Sequence, residues 1–243
     1  MPTAVRCVVE ADEPVPLVRL VGILDPAAAE SVRATLLTLL VDRADRVVVD
    51  LSELTIDEPA ALSILSAGVD EAAEWAPGQL VLCGSPGGSA SPSHRGKAAE
   101  SIDAALARLN GIDAPCVLGV DLDPVVGAAR EARQLATDGC ARWNLPELVG
   151  PACIAVTEMV NNVVAHARTP MTVRLALGEG ALHAGVRDHS RDRPTFRGLV
   201  SPDAAGGRGL LLIDTLARRW GATALDDGKI VWAVFYPGDE PGA

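Results

Sequence analysis

Apolar positions in the first half of the chain fall into short runs that alternate with longer blocks. The short runs are rich in β-branched residues, as expected for strands that are buried on both faces. The longer blocks consist of helix-forming residues, and one opens with Asp25-Pro26, an N-cap residue followed by proline at the first helical position. Alternation of this kind predicts an α/β layer with parallel strand pairs. The predicted strands are Leu17–Ile23, Arg46–Leu51 and Gln79–Cys83, and the predicted helices are Pro26–Val41, Asp57–Trp75 and Ala98–Leu109.

Two interruptions of this pattern organise the chain. The tract Gly84–Ser93 is rich in Gly, Pro and Ser, and we expect it to be a surface loop. Prolines and glycines interrupt the pattern again within Gly111–Asp123, which places the domain boundary there. We therefore expect one domain over residues 1–115 and a second over residues 120–243.

The second half begins with helical blocks and ends with β-hairpins. Gly178–Gly180 and Asp226–Gly228 have the composition of hairpin turns, and residues 190–207 read as a loop. The predicted helices are Val125–Trp143, a helix that starts near Pro146 and includes Val156–Ala167, and Leu210–Trp220. The predicted strands are Met171–Leu177, Ala181–Arg187, Thr223–Leu225 and Lys229–Phe235.

Polar residues recur along one otherwise apolar helix. Glu158, Asn162 and His166 follow one another at intervals of four, which places them along one stripe of a helix. Buried polar groups cost free energy unless they have partners, so the stripe is either paired in the interior or faces a binding cleft. An amide oxygen suits Mg²⁺ held together with substrate phosphates, and a carboxylate one turn earlier can orient or deprotonate a nucleophile.

Two further pieces follow this helix in the sequence. Asp188 stands at the end of a predicted strand, where a carboxylate can accept a hydrogen bond from a purine amine. The stretch Gly206–Leu210 precedes a helix, and its glycines let the backbone approach phosphates at the helix N-terminus. Each piece alone is more often a cap or an ordinary turn, but the combination in this order is a specific signal.

Composition excludes several classes of function. The net charge of −11 and the pI of about 4.8 argue against direct nucleic-acid binding. The only Gly-Lys pair, Gly96-Lys97, is followed by Ala98, which rules out a Walker phosphate loop. The 5 cysteines are dispersed without a CxxC pair, which favours reduced thiols in a cytoplasmic protein. No signal peptide is visible, and apolar runs such as Ile154–Val156 are too short to span a membrane.

Together the second-half motifs resemble the GHKL superfamily of ATP-binding domains, and most closely its anti-sigma-factor serine kinases. The N-box of that family, Glu-x-x-x-Asn, matches Glu158 and Asn162. Its first Gly box is built on an Asp and matches Asp188, and its second, Gly-x-Gly-Leu, matches Gly207–Leu210. The resemblance runs from about residue 123 to 237 and implies a C-terminal Bergerat-type α/β sandwich.

The resemblance also implies roles for these residues. Glu158 is the expected general base, Asn162 the expected ligand of Mg²⁺, and Asp188 the expected acceptor of the adenine amine of ATP. His166 is either a neighbour of the phosphates or a core histidine bonded to backbone. The residues expected in the lid over the phosphates are Gly207, Arg208, Gly209 and Leu210, with Arg208 either a phosphate contact or a solvated arginine.

Two departures from the family pattern are visible. The first Gly box normally reads Asp-x-Gly, whereas this chain has Asp188-His189-Ser190, which implies a tighter adenine turn. No helical hairpin carries a phosphoacceptor histidine, so a sensor histidine kinase is not expected.

The first half resembles the STAS domain, the fold of anti-sigma-factor antagonists, which implies an N-terminal β-sheet with helices. The match rests on the strand–turn–helix segment 47–62, in which antagonists read Asp-Leu-Ser and then Asp-Ser-Ser-Gly-Leu. The serine that antagonists phosphorylate is replaced here by Pro59, which has no hydroxyl. We therefore expect a docking or regulatory module that cannot be phosphorylated at this position, with Glu58 either a standing negative charge or an ordinary helix-start carboxylate.

Three functions remain open at this stage. The first is an ATP-binding anti-sigma regulatory protein that phosphorylates a serine or threonine of a separate antagonist. The second is a nucleotide-dependent switch that gains or loses a protein partner without phosphoryl transfer. The third is a scaffold that no longer binds ATP. In each case we expect protein partners, a sigma factor or an anti-sigma-factor antagonist, and a homodimer is an open alternative.

Overall fold

The chain forms two sheets, one in each of two units, Met1–Ala114 and Pro115–Ala243. In this computed structural model the described residues are 5–10, 15–42, 46–76, 79–88, 99–110, 116–192 and 208–238. The first unit combines a mostly parallel sheet with helices, and the second combines an antiparallel sheet with helices. The predicted α/β fold class is therefore confirmed.

The first unit is built on parallel strand pairs, as its alternating pattern predicts. Its sheet has the order β5-β3-β2-β4-β6, all in parallel register, and β1 pairs antiparallel with β2. The three valines Val47, Val48 and Val49 are each 0% exposed, because their strand is covered on both faces. The elements are β1 Arg6–Glu10, β2 Leu17–Leu24, α1 Pro26–Asp42, β3 Arg46–Asp50, β4 Leu54–Ile56, α2 Pro59–Trp75, β5 Gln79–Cys83, β6 Gly87–Gly88 and α3 Ile102–Asn110.

Part of the tract expected to be loop is a strand instead. Gly87 and Gly88 form β6 and pair in parallel with Thr55 and Ile56 of β4. The composition of the tract is typical of loops, but main-chain pairing needs no particular side chain, so a two-residue strand gives little sequence signal. Residues 89–93 of the tract lie outside the described residues.

The second unit contains a sheet of antiparallel strands with the order β10-β11-β9-β8-β7. Alternate residues of the central strands, including Val173, Ala184 and Ala233, form one core with helices α4 and α5. The elements are β7 Cys116–Leu122, α4 Ala128–Arg142, a 3₁₀ turn Pro146–Leu148, α5 Val149–Asn162, a π-helical segment Val163–Ala167, β8 Met171–Gly178, β9 Ala181–Asp188, α6 Arg208–Leu216, β10 Arg219–Leu225 and β11 Gly228–Phe235.

Three element boundaries in the second unit differ from the sequence prediction. The segment expected to interrupt the pattern contains β7, which pairs along its whole length with β8. The first helix begins at Ala128 rather than Val125. The last helix ends at Leu216 rather than Trp220, because Arg219 already pairs with Val234 of the neighbouring strand.

The helical segment Pro146–Ala167 is the longest apolar helical stretch in the part of the second unit that the structure describes. With 22 residues it is long and apolar enough to cross a membrane, by length and composition alone. The expectation that every apolar run is too short is therefore wrong for this segment. Buried residues of α5, including Ala152, Val156 and Met159, belong to the core that the helix shares with the sheet. We therefore interpret the segment as the core helix of this unit.

Candidate functional site

Helix α5 presents two of the predicted site residues one turn apart. Glu158 and Asn162 are both half-buried, whereas their neighbours Met159 and Val160 are buried in the core. The two polar side chains thus lie at the border of the core and are not sealed within it. This placement leaves a carboxylate and an amide available to a ligand beside the helix.

The third member of the predicted stripe does not follow the same spacing. His166 lies in the π-helical segment Val163–Ala167, where the Arg168 N–H donates to the Val163 carbonyl at 2.7 Å, a bond five residues long. The wider turn changes the phase of the helix, so His166 does not continue the α-helical stripe of Glu158 and Asn162. Its side chain is exposed, which makes the alternative of a core histidine wrong.

Asp188 ends β9 and is the most deeply buried of the predicted site residues, with 1% of its surface exposed. Its Oδ1 accepts two hydrogen bonds, from the Ser190 N–H at 2.8 Å and from Lys229 Nζ at 2.8 Å. Lys229 Nζ also donates to the Ser190 carbonyl at 3.2 Å. A buried carboxylate is therefore held in one orientation by a backbone amide and an ammonium group.

Sequence reasoning did not assign a role to Lys229. Asp188 and Lys229 are direct partners in the β9–β11 ladder, so their side chains lie on the same face of the sheet. The sequence does carry a signal for this residue. Lys229 is 1 of only 2 lysines in the chain, and every residue after it in β11 is apolar. Its partner is 41 residues earlier, and only the pairing of the strands brings the two together.

The turn between β10 and β11 lies directly against the end of β9. A Cβ atom at Gly228 would overlap the Asp188 carbonyl oxygen and would lie 2.8 Å from His189 Cα and 3.0 Å from Asp188 C. All three neighbours are backbone atoms, so only glycine fits here. This close approach brings Lys229, the next residue, onto Asp188.

Glu158 contacts the start of α6. A Cβ atom at Gly209 would overlap Glu158 Oε2 and would lie 3.2 Å from its Cδ and 3.3 Å from its Cβ. The N-box helix and part of the second Gly box are therefore in contact, as their predicted common site requires. Leu210 is buried in the core and anchors α6, Arg208 begins the helix, and Gly207 lies outside the described residues.

A hydrogen bond joins the connection between the π-helical segment and β8 to the residue after Asp188. The His189 N–H donates to Thr169 Oγ1 at 3.1 Å, and Met171, the first residue of β8, is the ladder partner of Asp188. Glu158 of α5 contacts Gly209 of α6, so α5 and the connection that follows its helical segment reach both other motif segments within the second unit.

A cluster of charged side chains fixes the loop after β9 to the β10–β11 turn. Arg187 Nη2 donates to Asp227 Oδ1 at 2.7 Å, Arg187 Nη1 lies 3.0 Å from His189 Nε2, and His189 Nδ1 lies 3.2 Å from Asp227 Oδ2. Partial burial acts to raise the pKa of Asp227, but the charge and hydrogen bonds of Arg187 and His189 outweigh it and lower that pKa below its usual value. The cluster therefore stabilises the backbone that carries Asp188.

The donor set suits a nucleotide with Mg²⁺ better than a metal held by protein alone. Among the described residues no group of three or more His, Cys, Asp or Glu side chains could hold a metal ion. Mg²⁺ usually takes only one or two protein oxygens and completes its shell with phosphates and water, so a single amide oxygen such as that of Asn162 is sufficient. The missing side chain at Gly209 leaves the Glu158 carboxylate beside the main chain of α6.

One family model matches most of the second unit. Residues 124–235 match the family model of the histidine kinase-like ATPase domain. No curated protein matches the chain.

Two solved structures are similar to parts of the chain. One contains the RsbU and RsbW domains of Rv1364c from Mycobacterium tuberculosis, with 20% identity, a TM-score of 0.39, and coverage of 52% of this chain and 33% of that one. The other is an anti-sigma factor antagonist from Mycobacterium paratuberculosis, with 18% identity, a TM-score of 0.33, and coverage of 44% of this chain and 94% of that one. This chain thus matches about a third of the first structure. Both likenesses are distant, and the fold described above rests on the sheets of this chain alone.

Proposed function

We propose that this protein is a partner-switching regulator whose second unit binds ATP and phosphorylates a serine or threonine of a separate anti-sigma-factor antagonist. The contact between Glu158 and Gly209 is the observation that carries the proposal, because it puts a carboxylate at the first turn of α6. Asn162 lies one helical turn after Glu158 on α5. The residue after Asp188 is hydrogen-bonded to Thr169, which lies just after the end of the same helical segment.

Each residue has a distinct task in this proposal. Asp188 accepts a hydrogen bond from the adenine amine through the oxygen that Lys229 and Ser190 leave open. Glu158 takes the proton from the attacking hydroxyl of the serine or threonine. The hydroxyl oxygen then bonds to the γ-phosphorus of ATP while the bond from that phosphorus to the leaving ADP breaks. Mg²⁺, when bound, neutralises charge on the phosphates, and Asn162 is the residue that would hold it. Arg208, Gly209 and the start of α6 provide backbone donors near the phosphates.

The test combines binding and transfer. Isothermal titration with Mg-ATP measures binding to the full chain, and transfer of labelled γ-phosphate measures reaction with purified antagonists that carry the Asp-Ser-Ser segment. We expect Glu158→Gln to bind Mg-ATP within a few-fold of the native affinity and to lose about 10²- to 10⁴-fold in transfer rate, the range typical of general acid–base catalysis. The matched control is Asp138→Asn, which removes one carboxylate from the exposed surface of α4 and should leave both measurements unchanged.

Two other outcomes correspond to the remaining functions. If Mg-ATP binds but no antagonist is phosphorylated, and Glu158→Gln changes nothing, the protein is a non-catalytic switch. If no heat of Mg-ATP binding is observed, the protein is a scaffold and the proposed kinase is wrong.

We propose that the first unit is a STAS-like docking module that cannot be phosphorylated at its helix start. Pro59 is the first residue of α2, its N-cap residue is Glu58, and both are exposed. A standing carboxylate at this helix N-terminus is favourable on its own and also resembles part of the charge of a phosphoserine. Intact-mass measurement after incubation with Mg-ATP tests the module, because stoichiometric phosphate within residues 57–66 would contradict it.

The proposal includes a location and partners. We propose that the protein works in the cytoplasm through protein partners, without contacting nucleic acid or membrane, and that it forms a homodimer. Sedimentation velocity with and without Mg-ATP measures the last point directly, and a monomer under both conditions would contradict it.

A further inference from the structure

The buried pair formed by Lys229 and Asp188 is more than a structural ion pair. Both residues lie at the end of the core-facing row of the sheet, with 9% of Lys229 and 1% of Asp188 exposed. Burying two charges is costly, and a pair of this kind is often replaceable by apolar residues without loss of stability. A polar pair at the end of an apolar row, joined to the loop next to α5, is therefore placed where a ligand would use it.

One oxygen of the Asp188 carboxylate is already hydrogen-bonded within the protein, and these bonds fix the orientation of the group. Oδ1 accepts from Lys229 Nζ and from the Ser190 N–H, both at 2.8 Å, which uses its two lone pairs. A ligand that donates to Asp188 must therefore do so at Oδ2. Lys229 thus determines which carboxylate oxygen the ligand meets.

The ammonium group of Lys229 has a donor left for a ligand. It carries three N–H bonds, and within the described part of the chain its acceptors are Asp188 Oδ1 at 2.8 Å and the Ser190 carbonyl at 3.2 Å. The third N–H is therefore left for an acceptor on a molecule that also donates to Asp188. The pair as a whole is neutral, which suits a neutral heterocycle better than an anion.

The Watson–Crick edge of adenine has the complementary pattern. Its exocyclic amine donates a hydrogen bond and the adjacent ring nitrogen N1 accepts one. We infer that Lys229 is a base-recognition residue that donates to N1 of adenine while Asp188 Oδ2 accepts from the amine. This inference rests on the proposed binding of ATP and adds to it the residue that reads the base.

The experiment titrates the full chain with Mg²⁺ complexes of ATP, 1-deaza-ATP, 7-deaza-ATP and GTP. The 1-deaza analogue replaces N1 by a C–H group, and the 7-deaza analogue makes the same replacement at a position away from the recognised edge. We expect the native protein to bind 1-deaza-ATP about 10- to 100-fold more weakly than ATP, the value of a hydrogen bond to a charged group, and 7-deaza-ATP with nearly the affinity of ATP. GTP, which has N–H at position 1, should bind more weakly than ATP.

Variants then assign the effect to Lys229. Lys229→Met should bind ATP and 1-deaza-ATP equally, at the weaker affinity. Since this change leaves a buried carboxylate without its cation, the double variant Asp188→Asn with Lys229→Met provides a second test, and the two nucleotides should again bind it equally. Arg130→Met removes one positive charge from the exposed surface of α4 and should keep the native discrimination.

Each alternative result contradicts a different statement. If the native protein binds ATP and 1-deaza-ATP equally, or if Lys229→Met keeps the native discrimination, Lys229 does not read N1 while the ATP site itself stands. Tighter binding of GTP than of ATP contradicts the adenine orientation. Absence of binding for all four nucleotides contradicts the proposed function, and the base-recognition role with it.

Discussion

Replacement of Gly228 by alanine tests the close approach that creates the Asp188–Lys229 pair. The new Cβ would overlap the Asp188 carbonyl oxygen and would lie 2.8 Å from His189 Cα. Non-bonded carbon atoms prefer separations of about 3.5–4.0 Å, so the strands must move apart by roughly 1 Å. These neighbours are backbone atoms of a paired strand and cannot rotate away as a side chain would.

The expected cost follows from two contributions. Overpacking of a closely packed site typically costs about 1–3 kcal/mol. Separation of β9 from β11 also weakens the hydrogen bond from Lys229 Nζ to Asp188 Oδ1, which is 2.8 Å long. A hydrogen bond to a charged group contributes about 1.5–3 kcal/mol to stability, and only a part of this contribution is lost. We therefore expect the second unit to lose about 2–4 kcal/mol of its free energy of unfolding.

The measurement must separate the two units, because a single unfolding free energy is not defined for a chain that unfolds in more than one step. Amide hydrogen exchange followed by mass spectrometry locates the loss in peptides of β9 and β11, while peptides of the first unit serve as an internal reference. The matched control is Gly150→Ala in the first turn of α5, where no atom lies within 4 Å of the new Cβ apart from the adjacent residues and the backbone of the helix itself. That change should leave stability unchanged or raise it by up to about 1 kcal/mol, since alanine favours helix.

Native-like protection of β9 and β11 in Gly228→Ala would refute this reasoning. It would mean that the turn does not lie against the end of β9, and the geometry of the Asp188–Lys229 pair would then be wrong.

Two further changes probe the same region. Gly209→Ala should change the free energy of unfolding by no more than about 1 kcal/mol, since the gain in helix propensity offsets part of the cost of the new contact with Glu158. The same change should displace the Glu158 carboxylate and reduce phosphoryl transfer nearly as much as Glu158→Gln does. Full transfer activity would contradict the contact between the two residues. Asp227→Asn should lower stability by about 0.5–1 kcal/mol at neutral pH, a small value because half of the Asp227 side chain is exposed to solvent. Since folding lowers the pKa of Asp227, the stability difference between the native protein and Asp227→Asn should be full above the ordinary pKa of 3.8 and should vanish as the pH falls through the folded pKa. Urea unfolding at a series of pH values measures this difference. A difference that persists at pH 2 would exclude the charge of Asp227 as its cause.

The long periodic elements were predictable from sequence because their burial imposes a pattern. The strand Gln79–Cys83 was predicted with its observed bounds, and α1 and α2 differ by at most two residues at either end. In each case the apolar run and the capping residues indicate the same element, and local and tertiary preferences agree.

Predictions failed where pairing with another strand overrides local preference. The stretch 217–220 continues the apolar period of α6, but Arg219 and Trp220 pair with β11 and leave the helix. Likewise β7 contains Gly119 and Asp121, which weaken its strand signal, and its pairing with β8 holds it in place. Tertiary context of this kind is not visible in a local window.

The candidate site was predictable as separate motifs and only partly as a geometry. Spacing along a helix predicts that Glu158 and Asn162 share a face, since a helix is a local structure. The π-helical segment that moves His166 out of this face has no recognised sequence signal here. The bond between Lys229 and Asp188 depends on the register of β9 against β11, two strands that are separated in the chain by α6 and β10 and become neighbours only in the folded sheet.

The topology of the two units has a consequence for how fast each one folds. Strands β8 and β9, like β10 and β11, are joined by two-residue turns, so most of their contacts form between residues close together in the chain. Every parallel pair of the first unit instead joins strands separated by a crossover, and each such loop must close before the pair gains any contact energy. Within the second unit, the two hairpins should therefore form before the β7–β8 and β9–β11 pairs, because the strands of those pairs are separated in the chain by whole helices.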